Sequence, residues 1–224
     1  MTIRPKAEYA YLDHDGVLAF AHRGGDRVAP ENTLAAFQDA VDQGYRYLET
    51  DVHASADGVV YAFHDDDLQR MVGESVAIST LNAEQIDALR LEGGHAIPRM
   101  ADLFEAFPEA RFNIDAKAWP VVQPLCDLVQ NTKTQERICV GSFSDARIQA
   151  VRKQLGDVCH SHGPLAAARF RLAALTRIPV SFTQGAAQLP VRQAGMPMVT
   201  KASVAYAHKC GPQVHGWGRS GGRR

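Results

Sequence analysis

Tyr47-Leu-Glu-Thr-Asp-Val-His53 reads as one β-strand, and Val59-Val-Tyr-Ala-Phe63 follows it after the turn signal Ala56-Asp57-Gly58, as a second strand that hairpins back. Side chains two apart on a strand share a face. Glu49 and Asp51 therefore point the same way. Two like charges on one face repel, and each loses water when partly buried. Such a pair calls for a cation, and a divalent metal is the simplest, because hard cations prefer carboxylate oxygens. Two solvated acids on an edge strand would show the same spacing, but Tyr47, Leu48 and Val52 argue against full exposure.

Outward from this stretch the chain alternates strands and helices. Val17 to Ala21 is a short apolar run that delivers His22-Arg23-Gly24-Gly25 at its end. Pro30-Glu-Asn-Thr33 opens a helix capped by Asn32 or Thr33, with Leu34, Phe37, Ala40 and Val41 on one face and Gly44 at its stop. Helices are expected over 82–91 and 100–107. Arg111-Phe-Asn-Ile-Asp-Ala-Lys117 is another strand, with Asn113, Asp115 and Lys117 on one face. Beyond it the pattern predicts helices over 121–129, 145–155, 165–175 and 204–210, and strands over 138–143, 158–160, 186–191 and 213–217. Strand–helix alternation defines an α/β chain with right-handed crossovers. A Gly-x-Gly-x-x-Gly after the first strand would favour an open dinucleotide-binding sheet, and it is absent. Polar residues instead fall at the C-terminal ends of several strands, which favours a (β/α)8 TIM barrel with its site at one mouth.

The chain has 224 residues, 46% hydrophobic and 22% charged, enough for one large domain. Twenty-four Lys and Arg against 25 Asp and Glu give a net charge of -1, which exerts no general pull toward nucleic acid or anionic membrane. Cys126, Cys139, Cys159 and Cys210 form no Cys-x-x-Cys pair and read as reduced, mostly buried thiols. Met1 to Asp15 lacks the apolar core of a secretory leader, and no run approaches a membrane span. The expectation is a cytoplasmic protein with no stable membrane insertion and no protein partner. Residues 1–16 are expected to form a surface arm, 17–217 one domain, and 218–224 a flexible tail.

The polar stretches resemble the glycerophosphodiester phosphodiesterase family. His22-Arg-Gly24 with Pro30-Glu-Asn-Thr33 matches its first motif, Glu49-x-Asp51 its second, and His64-Asp65 with Leu68-x-Arg70 its third. Asn113-Ile-Asp-Ala-Lys117 stands where the family has Asn-Ile-Glu-x-Lys, and Ala207-His208 through Trp217 matches a weaker fifth piece. The resemblance implies a (β/α)8 barrel and hydrolysis of glycerophosphodiesters to glycerol 3-phosphate and an alcohol. It implies that Glu49, Asp51 and Asp115 hold one divalent ion, magnesium or calcium. It gives acid–base roles to His22 and His64, places Arg23 and Lys117 on the substrate phosphate, and leaves Glu31 and Asn113 in support. His53 and His95 match no catalytic position, and His215 belongs either at the mouth or on the surface. A lysophospholipid substrate, cleaved as a lysophospholipase D would cleave it, is the alternative within the class.

Two departures stand out. Asp115 is one methylene shorter than the usual Glu, which shifts geometry while keeping a hard oxygen ligand. After Trp217 the family continues with Thr-Val-Asn, a helix and a last strand, whereas here Gly-Arg-Ser-Gly-Gly-Arg-Arg follows. Barrels of this kind take about 250 residues. The sequence therefore predicts a barrel truncated after its seventh strand, and with it the competing reading of an inactive barrel that at most binds metal or phosphate.

Overall fold

A computed structural model describes residues 9–178, 180–182, 184–193 and 195–218. The expected arm before Tyr9 and the tail from Arg219 onward lie outside the described residues. The strands are β1 (Phe20–His22), β2 (Tyr47–Ala54), β3 (Val60–Ala62), β4 (Arg111–Ala116), β5 (Ile138–Gly141), β6 (Cys159–His160), β7 (Ala186–Pro190), β8 (Arg192–Gln193), β9 (Met196–Pro197) and β10 (Gln213–Trp217). The helices are α1 (Leu34–Asp42), α2 (Gln69–Val72), α3 (Ala83–Ala88), α4 (Met100–Ala106), α5 (Val122–Thr132), α6 (Asp145–Leu155), α7 (Pro164–Thr176) and α8 (Lys201–Cys210).

Seven parallel strands make the barrel wall, in the order β1-β2-β4-β5-β6 and then β7-β10. A single parallel bridge from Ser161 to Ala186 joins the two pieces. β3 folds back antiparallel on the end of β2, pairing Val52 with Ala62, as the turn signal at Asp57-Gly58 predicts. Among the described residues no ladder joins β1 to β10. The rings of Phe20 and His215 face each other there at 4.9 Å. Alternation sorts the side chains of the wall. Leu48, Val52, Phe112, Ile114 and Val140 point outward and pack with Phe37, Leu103, Leu125 and Val151 of the surrounding helices. Tyr47, Glu49, Asp51, Asn113 and Asp115 occupy the intervening positions and face the interior.

Several boundaries differ from those read in the sequence. β1 starts at Phe20 and Val17 is exposed, because the chain before Phe20 makes no strand pairing. Leu34 is exposed as well; the buried face of α1 is Ala36, Phe37 and Ala40. α3 stops at Ala88 although it opens with a full capping box between Asn82 and Gln85. α8 begins at Lys201, a turn before the apolar pattern starts, because Thr200 and Ser203 cap it reciprocally. The β8–β9 hairpin has too few apolar residues to show in the sequence.

The stretch expected to lie on the surface before residue 17 instead closes the floor of the barrel. Tyr11 and Leu12 are buried, in a 3-10 turn packed against Tyr47, Cys139, Cys159 and Ala186. The Tyr47 hydroxyl donates to Tyr11 O at 2.7 Å, Arg111 Nη1 donates to the same oxygen at 3.1 Å, and Gln213 Nε2 donates to Leu12 O at 3.3 Å. Gly185 is the point of closest approach: a Cβ there would lie 2.8 Å from Tyr9 Cδ2 and 2.9 Å from Cys159 Sγ.

Two histidines, His160 and His162, are buried in the later half of the wall, and His215 is partly buried with its ring nitrogens shielded. His160 and His162 each leave Nε2 without a hydrogen-bond partner, and His215 leaves both ring nitrogens so. Burial pushes all three down to about 4. A depressed histidine keeps its neutral form in the fold while the unfolded chain takes up a proton below its usual pKa of about 6.5, so stability falls as pH drops from there to about 4. His162, packed among Phe170 and Phe182, is the one to remove. Thermal melts at about pH 7 and about pH 5 are expected to show a larger loss for the wild type than for His162→Phe. Equal losses would mean that His162 takes up its proton as readily in the fold as in the unfolded chain.

Candidate active site

Five segments bring their polar side chains to the C-terminal mouth of the first half of the wall. β1 ends in His22, and Arg23 follows in the left-handed region at φ 53. That turn is held by Gly24, where a Cβ would meet Phe37 N and Cδ1 at 2.9 Å. It sends the Arg23 side chain inward. The Arg23 N–H donates to Glu49 Oε2 at 3.1 Å, and its Nη1 donates to Glu31 Oε1 at 2.9 Å. Its Nε lies 2.9 Å from Asp51 Oδ2, an ion pair whose N–H is not aligned as a hydrogen bond. Asn32, also left-handed at φ 59, accepts from Thr50 Oγ1 at 2.9 Å and ties the Pro-Glu-Asn-Thr turn to β2. Thr33, rather than Asn32, caps α1.

Parallel pairing sets Glu49 opposite Asn113 and Asp51 opposite Asp115. The three predicted metal acids thus sit on adjacent strands. Burial, then the negative charges of Asp51 and Asp115, push the Glu49 carboxyl up to about 8. Lys117 Nζ stands between Asp51 Oδ1 at 2.7 Å and Asp115 Oδ2 at 3.0 Å. Burial works against its charge, but the two acids outweigh it and raise the Lys117 pKa. Among the described residues no three His, Cys, Asp or Glu side chains are gathered as a ready metal cage. The ammonium fills the space between two of the acids. The donor set itself fits a hard cation: three carboxylates, with Asp51 Oδ2 and Asp115 Oδ1 buried and without hydrogen bonds.

The two predicted catalytic histidines are placed differently. His22 is 69% exposed in its side chain, and its Nε2 lies 3.8 Å from Glu49 Oε2. Partial loss of water and then the Arg23 cation lower its pKa. His64 follows β3 and is fixed through Nδ1, 2.6 Å from Asp65 Oδ1. Asp65 Oδ2 in turn accepts from Arg70 Nε at 2.6 Å, and Arg70 Nη2 donates to Glu31 Oε1 at 2.6 Å. Burial works to raise Asp65, but the hydrogen bonds from Arg70 and His64 hold it below its ordinary value. One chain of alternating charges therefore runs His64–Asp65–Arg70–Glu31–Arg23–Asp51–Lys117–Asp115.

The structure adds residues that the sequence reading passed over. His53 is buried, and its ring contacts the carbonyl of His64 at 3.3 Å. It bears on the backbone that presents His64. Its place in the 49-51-53 alternation was the available signal. Gln188 of β7 donates to Asn113 Oδ1 at 2.6 Å and fills the interior beneath the acids. His215, left between mouth and surface in the sequence, lies inside the barrel against Phe20. At the far side of the mouth the Phe143 and Trp217 rings meet edge to face at 6.2 Å, with Lys117 Nζ 5.7 Å from the Phe143 centroid.

A barrel whose strand ends gather paired acids, two histidines and an inward arginine is the frame of a phosphoryl-processing enzyme. A model of the Glycerophosphoryl diester phosphodiesterase family matches residues 22–220, and the chain belongs to that family; it is a phosphoric diester hydrolase. It is 37% identical over 218 residues to the probable glycerophosphodiester phosphodiesterase 2 of Mycobacterium tuberculosis, covering 92% of this chain and 81% of that protein. It is 33% identical over 153 residues to a lysophospholipase D of Rattus norvegicus, covering 62% of this chain and 49% of that one. In structure it resembles a glycerophosphodiester phosphodiesterase from Agrobacterium tumefaciens, with TM-score 0.72, 25% identity and coverage of 90% and 86%. It also resembles an Oleispira antarctica phosphodiesterase solved with sn-glycerol-3-phosphate, with TM-score 0.71, 19% identity and coverage of 89% and 83%. The second likeness speaks to the fold alone.

Asp51→Asn removes the like charge nearest Glu49 and loosens Arg23 and Lys117 from Asp51. An NMR titration of the Glu49 carboxyl in metal-free protein is expected to show its pKa falling from about 8, though staying above the usual range, since burial is the larger cause. An unchanged titration would leave burial as the whole cause.

Proposed function

We propose that this chain hydrolyses glycerophosphodiesters to glycerol 3-phosphate and an alcohol, with His22 and His64 as the acid–base pair and one divalent ion, magnesium or calcium, held by Glu49, Asp51 and Asp115. The observation that carries the reading is the continuous charge chain from His64 to Asp115, with His22 beside Glu49, which accepts from the Arg23 N–H. Bound there, the ion would withdraw charge from the phosphoryl oxygens. Arg23, anchored by Glu31, directs its guanidinium toward the same region, and Lys117 supplies a second cation when it leaves one of its two acids. A phosphodiester resists attack because its oxygens repel the nucleophile, and these cations oppose that repulsion as charge develops. His64, steered by Asp65, and His22, free to turn, exchange protons with the attacking and leaving oxygens. Asn113, held by Gln188, supports the acids from below. Four free thiols are in keeping with a reducing, cytoplasmic setting.

Phe143 and Trp217, exposed beside Lys117, favour a second reading in which the alcohol side carries an apolar chain, as in a lysophospholipid. Glycerol 3-phosphate release from glycerophosphocholine separates the cases, run beside phosphate-containing product release from lysophosphatidylcholine. Each assay is run with magnesium, with calcium and with chelator. Turnover of the first substrate that stops with chelator supports the main reading; turnover of the second alone supports the other; none on either leaves a barrel that only binds. His22→Ala and His64→Ala are each expected to lower turnover by about two to four orders of magnitude. Both should keep calorimetric metal affinity, while Asp51→Asn should lose it. Loss of metal affinity in either histidine variant would make that histidine a ligand instead.

A further inference from the structure

The net charge of -1 conceals a division along the chain. Residues 1–137 carry 12 Lys and Arg against 23 Asp and Glu, while residues 138–224 carry 12 against 2. The division falls at the start of β5, and among the described residues β5, β6, β7, β10, helices α6 to α8 and their loops hold nine of these bases against the two acids, so they form one contiguous basic half of the barrel. Asp145, one of its two acids, is engaged: its oxygens accept from Leu165 N and Ala166 N at the head of α7.

The same half carries exposed apolar side chains: Phe143, Leu165, Val191, Met196 and Trp217 at its mouth, and Leu172, Leu175 and Ile178 along α7 and just past its end. Trp119, in the turn after β4 at the border of the acidic half, joins these five at the mouth, where Phe143 is 68% and Leu165 76% exposed. Each ends a wall strand, lies in the loop after one, or heads the helix that follows, and parallel strands place all such positions on one face. They follow β4, β5, β6, β7 and β10, which are successive around the wall. Three members of the rim touch: Phe143 meets Trp217, and Val191 N donates to Trp217 O at 2.7 Å. Exposed Arg192 and Lys201 stand in the same loops. The floor beneath the first half of the wall carries Asp13, Arg46, Glu109, Lys133 and Glu136, with signs mixed.

Single exposed apolar residues are ordinary on soluble proteins, but a rim of six is a contact surface. Trp and Phe with flanking Arg and Lys suit the boundary between lipid headgroups and acyl chains. Anionic lipid attracts cations near the surface, and a basic half with almost no acids adds to that pull. No helix among the described residues is long and apolar enough to cross a membrane. We propose that the rim adsorbs peripherally on bilayers that contain anionic lipid, holding the mouth of the barrel against the lipid surface.

The test is co-sedimentation with vesicles of phosphatidylcholine, alone or with one third phosphatidylglycerol. The full chain is expected to partition onto the mixed vesicles at low salt, to leave them at high salt and to ignore the neutral ones. Leu165→Ser should weaken partition roughly tenfold and Arg192→Gln roughly fivefold, without change in the thermal melt, since both side chains are exposed. Absence of partition, equal partition onto neutral vesicles, or partition untouched by both substitutions would overturn the proposal. So would a dimer on a sizing column that Leu165→Ser dissolves, because a second copy would then cover the rim.

Discussion

Three carboxylates side by side on β2 and β4, Asp51 buried and Glu49 and Asp115 mostly so, are the constraint around which this molecule is arranged. Acids removed from water at this spacing repel one another, and an uncompensated buried charge is strongly destabilising. Two cations answer them from opposite sides. Arg23 arrives from the end of β1 and needs an unusual left-handed backbone to do so; Lys117 arrives from the end of β4 and bridges Asp51 and Asp115. The supports behind Arg23 extend the same logic outward through Glu31, Arg70 and Asp65 to His64. Removing one member would therefore be felt several residues away, since each charge is held by neighbours of the opposite sign.

The site was legible largely because strand geometry turns spacing into direction. Glu49 and Asp51, two apart, had to share a face, and so did Asn113, Asp115 and Lys117. Parallel pairing then set them opposite one another. What spacing could not show is which distant segments meet. Gln188 is an ordinary polar residue in its own strand and becomes part of the site only through a contact 75 positions away. His53 follows the alternation but matches no motif. The burial of Tyr11 depends on a carbonyl shared by Tyr47 and Arg111, which nothing local to residues 9–12 announces. Among the elements, strongly periodic α6 and β10 have the bounds read from the sequence, whereas β1 and α3, where loop packing decides, do not.

Net charge was the least informative of the bulk quantities, because it averages over a chain whose two parts oppose each other. The acids accumulate where the fold assembles a polar site, and the bases accumulate where the wall presents its apolar rim. These are different demands on the same barrel. One half must gather negative charge that cations can compensate; the other leaves its positive charge exposed to its surroundings.

The unequal distribution of charge also bears on how the chain comes together during synthesis. Every member of the sequence from His22 to Lys117 that carries the charge chain is polymerised before Ile138 is added. Until then the nascent polypeptide is a strongly acidic polymer whose early strands can already pair, since N-terminal structure generally forms first. The later strands then reach an acidic surface as a basic segment. Attraction between opposite charges acts at longer range than packing and is weakened by salt. The second half of the barrel is thus guided onto the first by a field that the first half has already built.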